Sequence, residues 1–329
     1  MERFQRILVC IDEPERDARM LPYVRAVARL AEAGEIHLLH VAATPVAAAP
    51  VVDAPAVGAP AVGTPDQAAA ATSDESAGAV PVTAEALRRI AGEQLKDLPP
   101  HKCVCEVVPG APLLEILRYA HDKDVDLIVI ERHHGQVSET DDTALLARRV
   151  TRKATCSVLV LPDTYRLKAD AILVPVRDSE CSAGALDVAC GIAAAAEATV
   201  IAFNVYQVHP GYSRVGKTLE EHQALLEAAA EQENASLLKR LDRPLDAVQS
   251  RYAPDLHDKP VPIILEAIDR LAADVVVIGA RGRTGAAGVL LGNITEQLIQ
   301  QSPVPVLAVK KKGECIGVLR ALLTITSEG

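Results

Sequence analysis

The chain of 329 residues has no tryptophan and two phenylalanines, and aromatic residues make up 2% of it. That scarcity excludes a stacking platform for single-stranded nucleic acid, which needs several aromatic faces along a groove. Positive charge is also short. The formal net charge is −10, so a polyanion meets no global attraction and no nucleic-acid partner is expected. The run Lys310-Lys311-Lys312 reads as a solvated strand end. The seven cysteines form no CxxC pair, which favours a reducing cytosol over a disulfide framework. Cys103 and Cys105 alternate along one strand, share a face, and read as core. No apolar run approaches a membrane span. Met1 to Ile11 carries Glu2, Arg3 and Arg6 and does not read as a secretion signal. The expectation is a cytoplasmic protein without membrane insertion.

What is present is aliphatic. Hydrophobic residues make up 49% and charged residues 24%, enough for two domains with real cores. Filled by Ala, Val, Leu and Ile, such cores suit parallel strands buried under helices on both faces. In the first half, strands are predicted at Ile7–Ile11, Ile36–Val41, Cys103–Val108, Leu127–Ile130 and Val158–Leu161. The helices between them carry Leu21, Val24, Val27, Ala28 and Ala31, then Leu87, Ile90 and Leu95 after an N-cap at Thr83. Two more follow at Pro112–Asp122 and near Leu145–Lys153. Thr44–Val82 breaks all periodicity. It is Ala, Pro, Val and Gly with few charges, and reads as a flexible loop, a tether or a tolerated insertion.

The second half repeats the order. Its predicted strands are Ile172–Val176, Val200–Val205, Val248–Tyr252, Val275–Ile278 and Val304–Val309. Its predicted helices are Ala183–Glu197, Leu219–Leu241, Ile263–Ala272 and Leu291–Gln301. The segment from Asp126 to Ile130 aligns with that from Asp274 to Ile278, and Val158 then meets Val306 without a gap. The chain is therefore α/β, one doubly wound parallel unit written twice. The expected domains are residues 1–165, with the insertion at 44–82, and residues 166–312, followed by a tail at 313–329.

In the second copy the fourth strand runs into Gly279-Ala280-Arg281-Gly282-Arg283-Thr284-Gly285, and Gly292-Asn293 opens the next helix. Open α/β sheets bind ligands at the carboxyl ends of their strands. Gly279 and Gly282 let backbone approach a phosphate with no Cβ in the way. A helix start at Gly292 and Asn293 offers free N–H groups and the positive end of the dipole. Asn293 and Glu296 also have capping-box spacing. Arg281 and Arg283 suit phosphate oxygens or an exposed loop equally. His133 and His134, near Glu131, Asp141 and Asp142, match no strong metal pattern. His37 and His40 stand on opposite strand faces and cannot chelate together. Cys10 reads as a buried thiol, and the helix Leu219–Leu241 as a solvated amphipathic face. No Walker loop, nucleophile elbow or catalytic carboxylate pair is present, so no catalytic residue is assigned.

The glycine loop, with Leu290-Leu291 before Gly292 and the closing strand Val304-Pro305-Val306-Leu307-Ala308-Val309, resembles the universal stress protein family, whose nucleotide-binding members carry G-x2-G-x9-G. The resemblance runs through nearly the whole chain, twice. It implies two tandem five-stranded parallel sheets of order 3-2-1-4-5, of the adenine nucleotide alpha hydrolase type. Family members pair through their last strands, so it also implies an intramolecular pseudo-dimer here, with a homodimer of the tandem chain open beyond that. For the second copy it implies ATP or another adenine nucleotide, with or without magnesium. Gly279, Gly282 and Gly292 fall at the phosphate-loop positions, and Asn293 at that of the usual Ser or Thr. Ile278 and Ile294 fall beside the nucleotide, Val205 at the adenine contact and Pro175 near the base. Arg177 stands where the family has a first-strand Asp.

The first copy departs in the opposite sense. It keeps Asp12 on the first strand but has Glu131, His134 and Ala144 at the three glycine positions. Glu131 brings negative charge to a place meant for phosphate. The implied function is a stress-response sensor or adaptor that binds a nucleotide in its second copy and an unidentified protein partner. The alternatives are a structural adaptor without nucleotide, or an enzyme with at most slow ATP hydrolysis.

Overall fold

A computed structural model describes residues 4–43, 82–96, 98, 102–132, 142–208, 218–241, 248–280 and 291–310. The first copy contains β1 (Arg6–Cys10), α1 (Pro14–Asp17), a 3₁₀ turn (Ala18–Met20), α2 (Leu21–Ala31), β2 (Glu35–Ala43), α3 (Ala84–Gln94), β3 (Cys103–Gly110), α4 (Pro112–Asp122), β4 (Leu127–Glu131), α5 (Asp142–Lys153) and β5 (Ser157–Leu161). The second contains β6 (Ala171–Pro175), α6 (Glu180–Ala196), β7 (Thr199–Gln207), α7 (Leu219–Lys239), β8 (Val248–Asp255), α8 (Pro260–Arg270), β9 (Val275–Gly279), α9 (Asn293–Gln301) and β10 (Val306–Val309). The Thr44–Val82 loop up to residue 81, His133, His134, Asp141 and the tail after Lys310 lie outside the described residues.

All ten strands form one sheet of order β3-β2-β1-β4-β5-β10-β9-β6-β7-β8. Each half has the order 3-2-1-4-5 and is parallel throughout. The halves meet where β5 and β10 pair antiparallel, with Leu159 opposite Leu307. Val158 lies opposite Ala308 and Val160 opposite Val306, so the Leu159–Leu307 pair marks a pseudo-two-fold axis. The two copies are thus joined through their last strands as an intramolecular pseudo-dimer. The duplicated aspartates share a task. Asp126 Oδ2 accepts from the backbone N–H groups of Gln5 and Arg6, both at 3.0 Å. Asp274 Oδ2 accepts from those of Asp170 and Ala171, at 2.9 and 3.1 Å. Each ties the start of a fourth strand to the start of a first strand.

Strand alternation sends side chains to two cores, one on each face. Ile7, Val129, Leu159, Ile172, Val277 and Leu307 belong to the face covered by α2, α3 and α6. Leu8, Ile128, Val158, Leu173, Val276 and Val306 belong to the face covered by α4, α5, α8 and α9. Both cores continue across the junction between the copies. The helix α7 lies largely in solvent, burying Ala230, Asn234 and Leu237.

Three sequence-based expectations need correcting. Lys310 is not solvated. It is 6% exposed, and its Nζ donates to the carbonyls of Thr151 and, at 2.8 Å, Ala154. The positive end group meets the carbonyls left over at the C-terminus of α5, where a cation is favoured. Cys103 and Cys105 are half-buried rather than core, because β3 is an edge strand. The capping role suggested by the Asn293–Glu296 spacing is not taken up: Gly292 occupies the N-cap with extended backbone, and Asn293 is the first residue of α9. Asn293 Oδ1 instead accepts from Gln297 Nε2 at 2.9 Å, one turn on.

His37 and His40 do face opposite sides. His37 Nδ1 lies 3.0 Å from the Tyr119 hydroxyl and its Nε2 3.3 Å from Glu35, while His40 Nδ1 lies 3.0 Å from the Ile11 carbonyl. Burial pulls the His37 pKa below its ordinary 6.5, outweighing the opposing pull of Glu35. The unfolded chain then binds a proton that the folded chain resists, so the stability present above pH 6.5 is lost as pH falls below it. Urea unfolding from about pH 8 to about pH 5.5 should show this decline. His37→Gln should flatten it, and an unchanged slope in that variant would remove His37 as its source.

Candidate functional site

The site begins at the carboxyl end of β9. Ile278 ends the apolar run, and Gly279 follows with no side chain. A Cβ built on Gly279 would lie 2.7 Å from the Cys181 carbonyl oxygen and 2.8 Å from the Cys181 carbonyl carbon and Cβ. The missing side chain therefore admits the first turn of α6 against the strand end. Gly292 returns to the same place, its N–H donating to the Ala280 carbonyl at 3.2 Å. Thr295 Oγ1 donates to the Gly279 carbonyl at 3.2 Å. These two bonds close the base of the glycine loop and hold the start of α9 beside the end of β9. As the N-cap of α9, Gly292 offers no side-chain cap, so none competes for the first N–H groups of the helix. Gly282, Arg281 and Arg283 lie outside the described residues.

The apolar members of the predicted set gather on one face. Val205 and Ile278 are buried in one core cluster, and Ile294 packs partly buried against the same cluster. Pro175 ends β6, half-buried. Arg177 is exposed; its N–H donates to Ser182 Oγ at 3.1 Å, and Ser179 caps α6 by accepting from the Ser182 N–H. The neighbouring carboxylate, Asp178, is bound by Arg240 at the end of α7.

The first copy shows what happens when the glycine is absent. Glu131 is 4% exposed and lies 2.8 Å from Arg19 Nη2. Arg19 belongs to the 3₁₀ turn, which divides what is a single helix, α6, in the second copy. Two features accompany that break. A side chain at position 131 stands where the glycine admits helix backbone in the other copy. Pro22 sits in the first turn of α2, where its missing N–H suits a helix start rather than an interior. The result is a carboxylate at the position of Gly279, matched by a cation of the same copy. Asp17 completes the turn, its Oδ2 accepting from the N–H groups of Asp12 and Glu13 at 2.7 and 3.1 Å. The remaining cleft of about 240 Å³ is bordered by Asp12, Asp17 and Glu131, with Cys10 at its base. Burial pushes the Cys10 thiol far up, which keeps it protonated.

Arg19 and Arg132 carry no signal by themselves in the sequence. Their partners, Glu131 in the first case and the end of α9 in the second, are distant in the chain.

The model of the universal stress protein family matches residues 3–162 and 168–310. The chain belongs to that family, with two tandem family units. A universal stress protein of Methanocaldococcus jannaschii is 30% identical over 141 residues, which are 43% of this chain and 81% of that protein. The crystal structure of a putative universal stress protein from Pseudomonas aeruginosa shares the fold over 98% of this chain and 99% of its own, at 20% identity and a TM-score of 0.62. One from Archaeoglobus fulgidus does so over 94% and 99%, at 16% identity and a TM-score of 0.55. Among the described residues, no helix is long and apolar enough to cross a membrane.

Proposed function

We propose that the second copy binds an adenine nucleotide and that the chain works as a ligand-dependent sensor or adaptor in a stress response. One observation carries this reading. Gly279 and Gly292 are brought together at a strand's carboxyl edge, with the uncapped start of α9 beside them. A helix start of that kind receives phosphate. In this reading Val205, Ile278, Ile294 and Pro175 face the base, and Gly279, Gly282, Gly292 and Asn293 line the phosphates with Arg281 and Arg283. These residues offer magnesium no carboxylate, so it would be held by the nucleotide phosphates, a binding mode common for this ion. Arg177 cannot accept a hydrogen bond from adenine or ribose. It leaves recognition of the base to shape and apolar contact.

Glu131 and its partner Arg19 speak against phosphate in the first copy, which serves as the structural half. Calorimetric titration of the full chain with ATP, ADP and AMP tests the proposal. Saturable binding of at least one is expected, weakened about tenfold or more by Gly282→Asp, which sets a carboxylate against phosphate. No heat with any of the three at millimolar ligand would refute it. The second reading, an adaptor without nucleotide, draws on the engagement of Asp178 by Arg240. That bond occupies the nearest carboxylate to the missing family Asp.

A further inference from the structure

On the face covered by α2 and α6, the two copies do not close over their pseudo-two-fold axis. A cavity of about 470 Å³ lies there, with Leu159 and Leu307 of the central β5–β10 pair in its floor. It is on the opposite side of the sheet from Ile278, Ile294 and Val205, and so is separate from the candidate nucleotide site. Its walls come from equivalent positions of the two copies. Val27 of α2 is matched by Ile192 of α6, and Leu127 of β4 by Val275 of β9.

The match is unequal, and the inequality makes the space. Phe4, ahead of β1, has Ala169 as its counterpart ahead of β6. The helix α6 ends in four alanines, Ala193 to Ala196, where α2 has Ala28, Arg29, Leu30 and Ala31. Interiors pack like organic crystals, and a missing side chain leaves a void because its surroundings relax only in part. The linker between the copies passes at one side. Tyr165 anchors it, edge-on to Tyr23 at 5.6 Å and with its hydroxyl donating to the Arg19 carbonyl. Leu167 follows at the cavity wall, 61% exposed.

The charged groups around this aliphatic space have one sign. Arg25, Arg29 and Lys168 border it, and no carboxylate is among its described lining residues, in a chain of net charge −10. Arg25 donates to the Gln94 carbonyl at 3.3 Å, and Lys168 pairs with Asp170. Such bonds orient Arg25 and Lys168. A guanidinium has five donors, so an oriented one can serve a second acceptor.

We propose that this cavity binds a free long-chain carboxylate, with the aliphatic chain over Leu159 and Leu307 and the carboxylate at Arg25 and Arg29. Its volume falls within the range of small-molecule sites, about 300–1,000 Å³. The apolar walls supply affinity through burial of methylenes, and the arginines select the anion.

Dodecanoate, held below its micelle concentration, is the probe, with the full chain and displacement of 1-anilinonaphthalene-8-sulfonate as the readout. One saturable site per chain is expected, and 1-dodecanol should bind about tenfold more weakly. Arg25→Gln with Arg29→Gln should remove that preference while leaving dodecanol binding unchanged. Ala196→Phe should fill the cavity and abolish binding of both probes with thermal stability kept. Ala169→Phe repeats the test from the other wall if the first variant fails to fold. The proposal is overturned by absence of saturable binding, by equal affinity for acid and alcohol, or by undiminished binding in folded cavity-filling variants. Light scattering that shows a dimer which dodecanoate fails to dissociate would overturn it too, since a second copy would then be the occupant.

Discussion

Replacing Arg132 by alanine should destabilise the whole chain by about 2–4 kcal/mol, the cost of losing two charge-assisted bonds and leaving their buried acceptors unsatisfied. Arg132 follows β4 and is 2% exposed. Its Nη1 donates to the Ile299 carbonyl at 2.7 Å and its Nη2 to the Ser302 carbonyl at 2.8 Å. Both acceptors end α9 of the other copy. Lys310, which follows β10, does the same in the reverse direction at Thr151 and Ala154, the equivalent carbonyls that end α5. The two cations come from non-equivalent sequence positions: Ala280 stands where the second copy would have its Arg132, and Pro162 where the first would have its Lys310. Each copy nevertheless caps the last helix of the other, with the favourable sign for a helix C-terminus. Arg152 and Glu296, 2.9 Å apart at Nε, add an ion pair across the same seam. That pair is partly exposed and contributes little by comparison. Urea unfolding of Arg132→Ala checks the expectation. Arg132→Lys should retain part of the lost stability, because it keeps the charge but not the planar fork that reaches two carbonyls. A loss in Arg132→Ala below about 0.5 kcal/mol, ordinary for a surface substitution, would mean that the seam does not depend on it.

Most of the fold was legible because each element carries a local signal. The helix α4 was read to the residue: Pro112 begins it and Asp122 ends it, with apolar positions at helical spacing between. Thr83 caps α3 as its side chain suggested, accepting from the Ala86 N–H at 3.2 Å. Most strand ends were read short, because pairing continues past the apolar run, whereas those of β1 and β6 were read one residue long. Glu131 still pairs with Leu161, and Gln207 with Asp255. The ten-stranded sheet followed from the duplicated last strands and the family resemblance together.

What escaped the sequence was contact between distant residues. The 3₁₀ turn at Ala18–Met20 sits inside a helical apolar pattern that shows no gap, and Pro22 was the one available warning. The burial of Lys310 depends on helix carbonyls more than a hundred residues away, and neighbouring lysines disguise it as a solvated run. The negative charge that Glu131 brings to the first glycine position was legible. Its answer to that charge, Arg19, was not, because only the broken helix brings the two together.

Gly279→Ala should destabilise the ligand-free chain by about 1–3 kcal/mol, the usual cost of forcing an extra methyl into a packed interior. The new Cβ would meet the Cys181 carbonyl oxygen at 2.7 Å. That oxygen is backbone in the first turn of α6, and it cannot swing aside as the end of a long side chain can. To accommodate the methyl, the start of α6 must move or break, as the corresponding helix of the first copy is broken opposite Glu131. Movement there would also carry Ser182, which holds the Arg177 N–H, and would loosen the base of the glycine loop. Two roles for Gly279 then separate cleanly. A glycine kept solely for phosphate approach predicts weaker nucleotide binding with unchanged stability of the free protein. A glycine kept for helix packing predicts lost stability with no ligand present. Urea unfolding of Gly279→Ala without nucleotide distinguishes them, and a midpoint equal to that of the parent would refute the packing role.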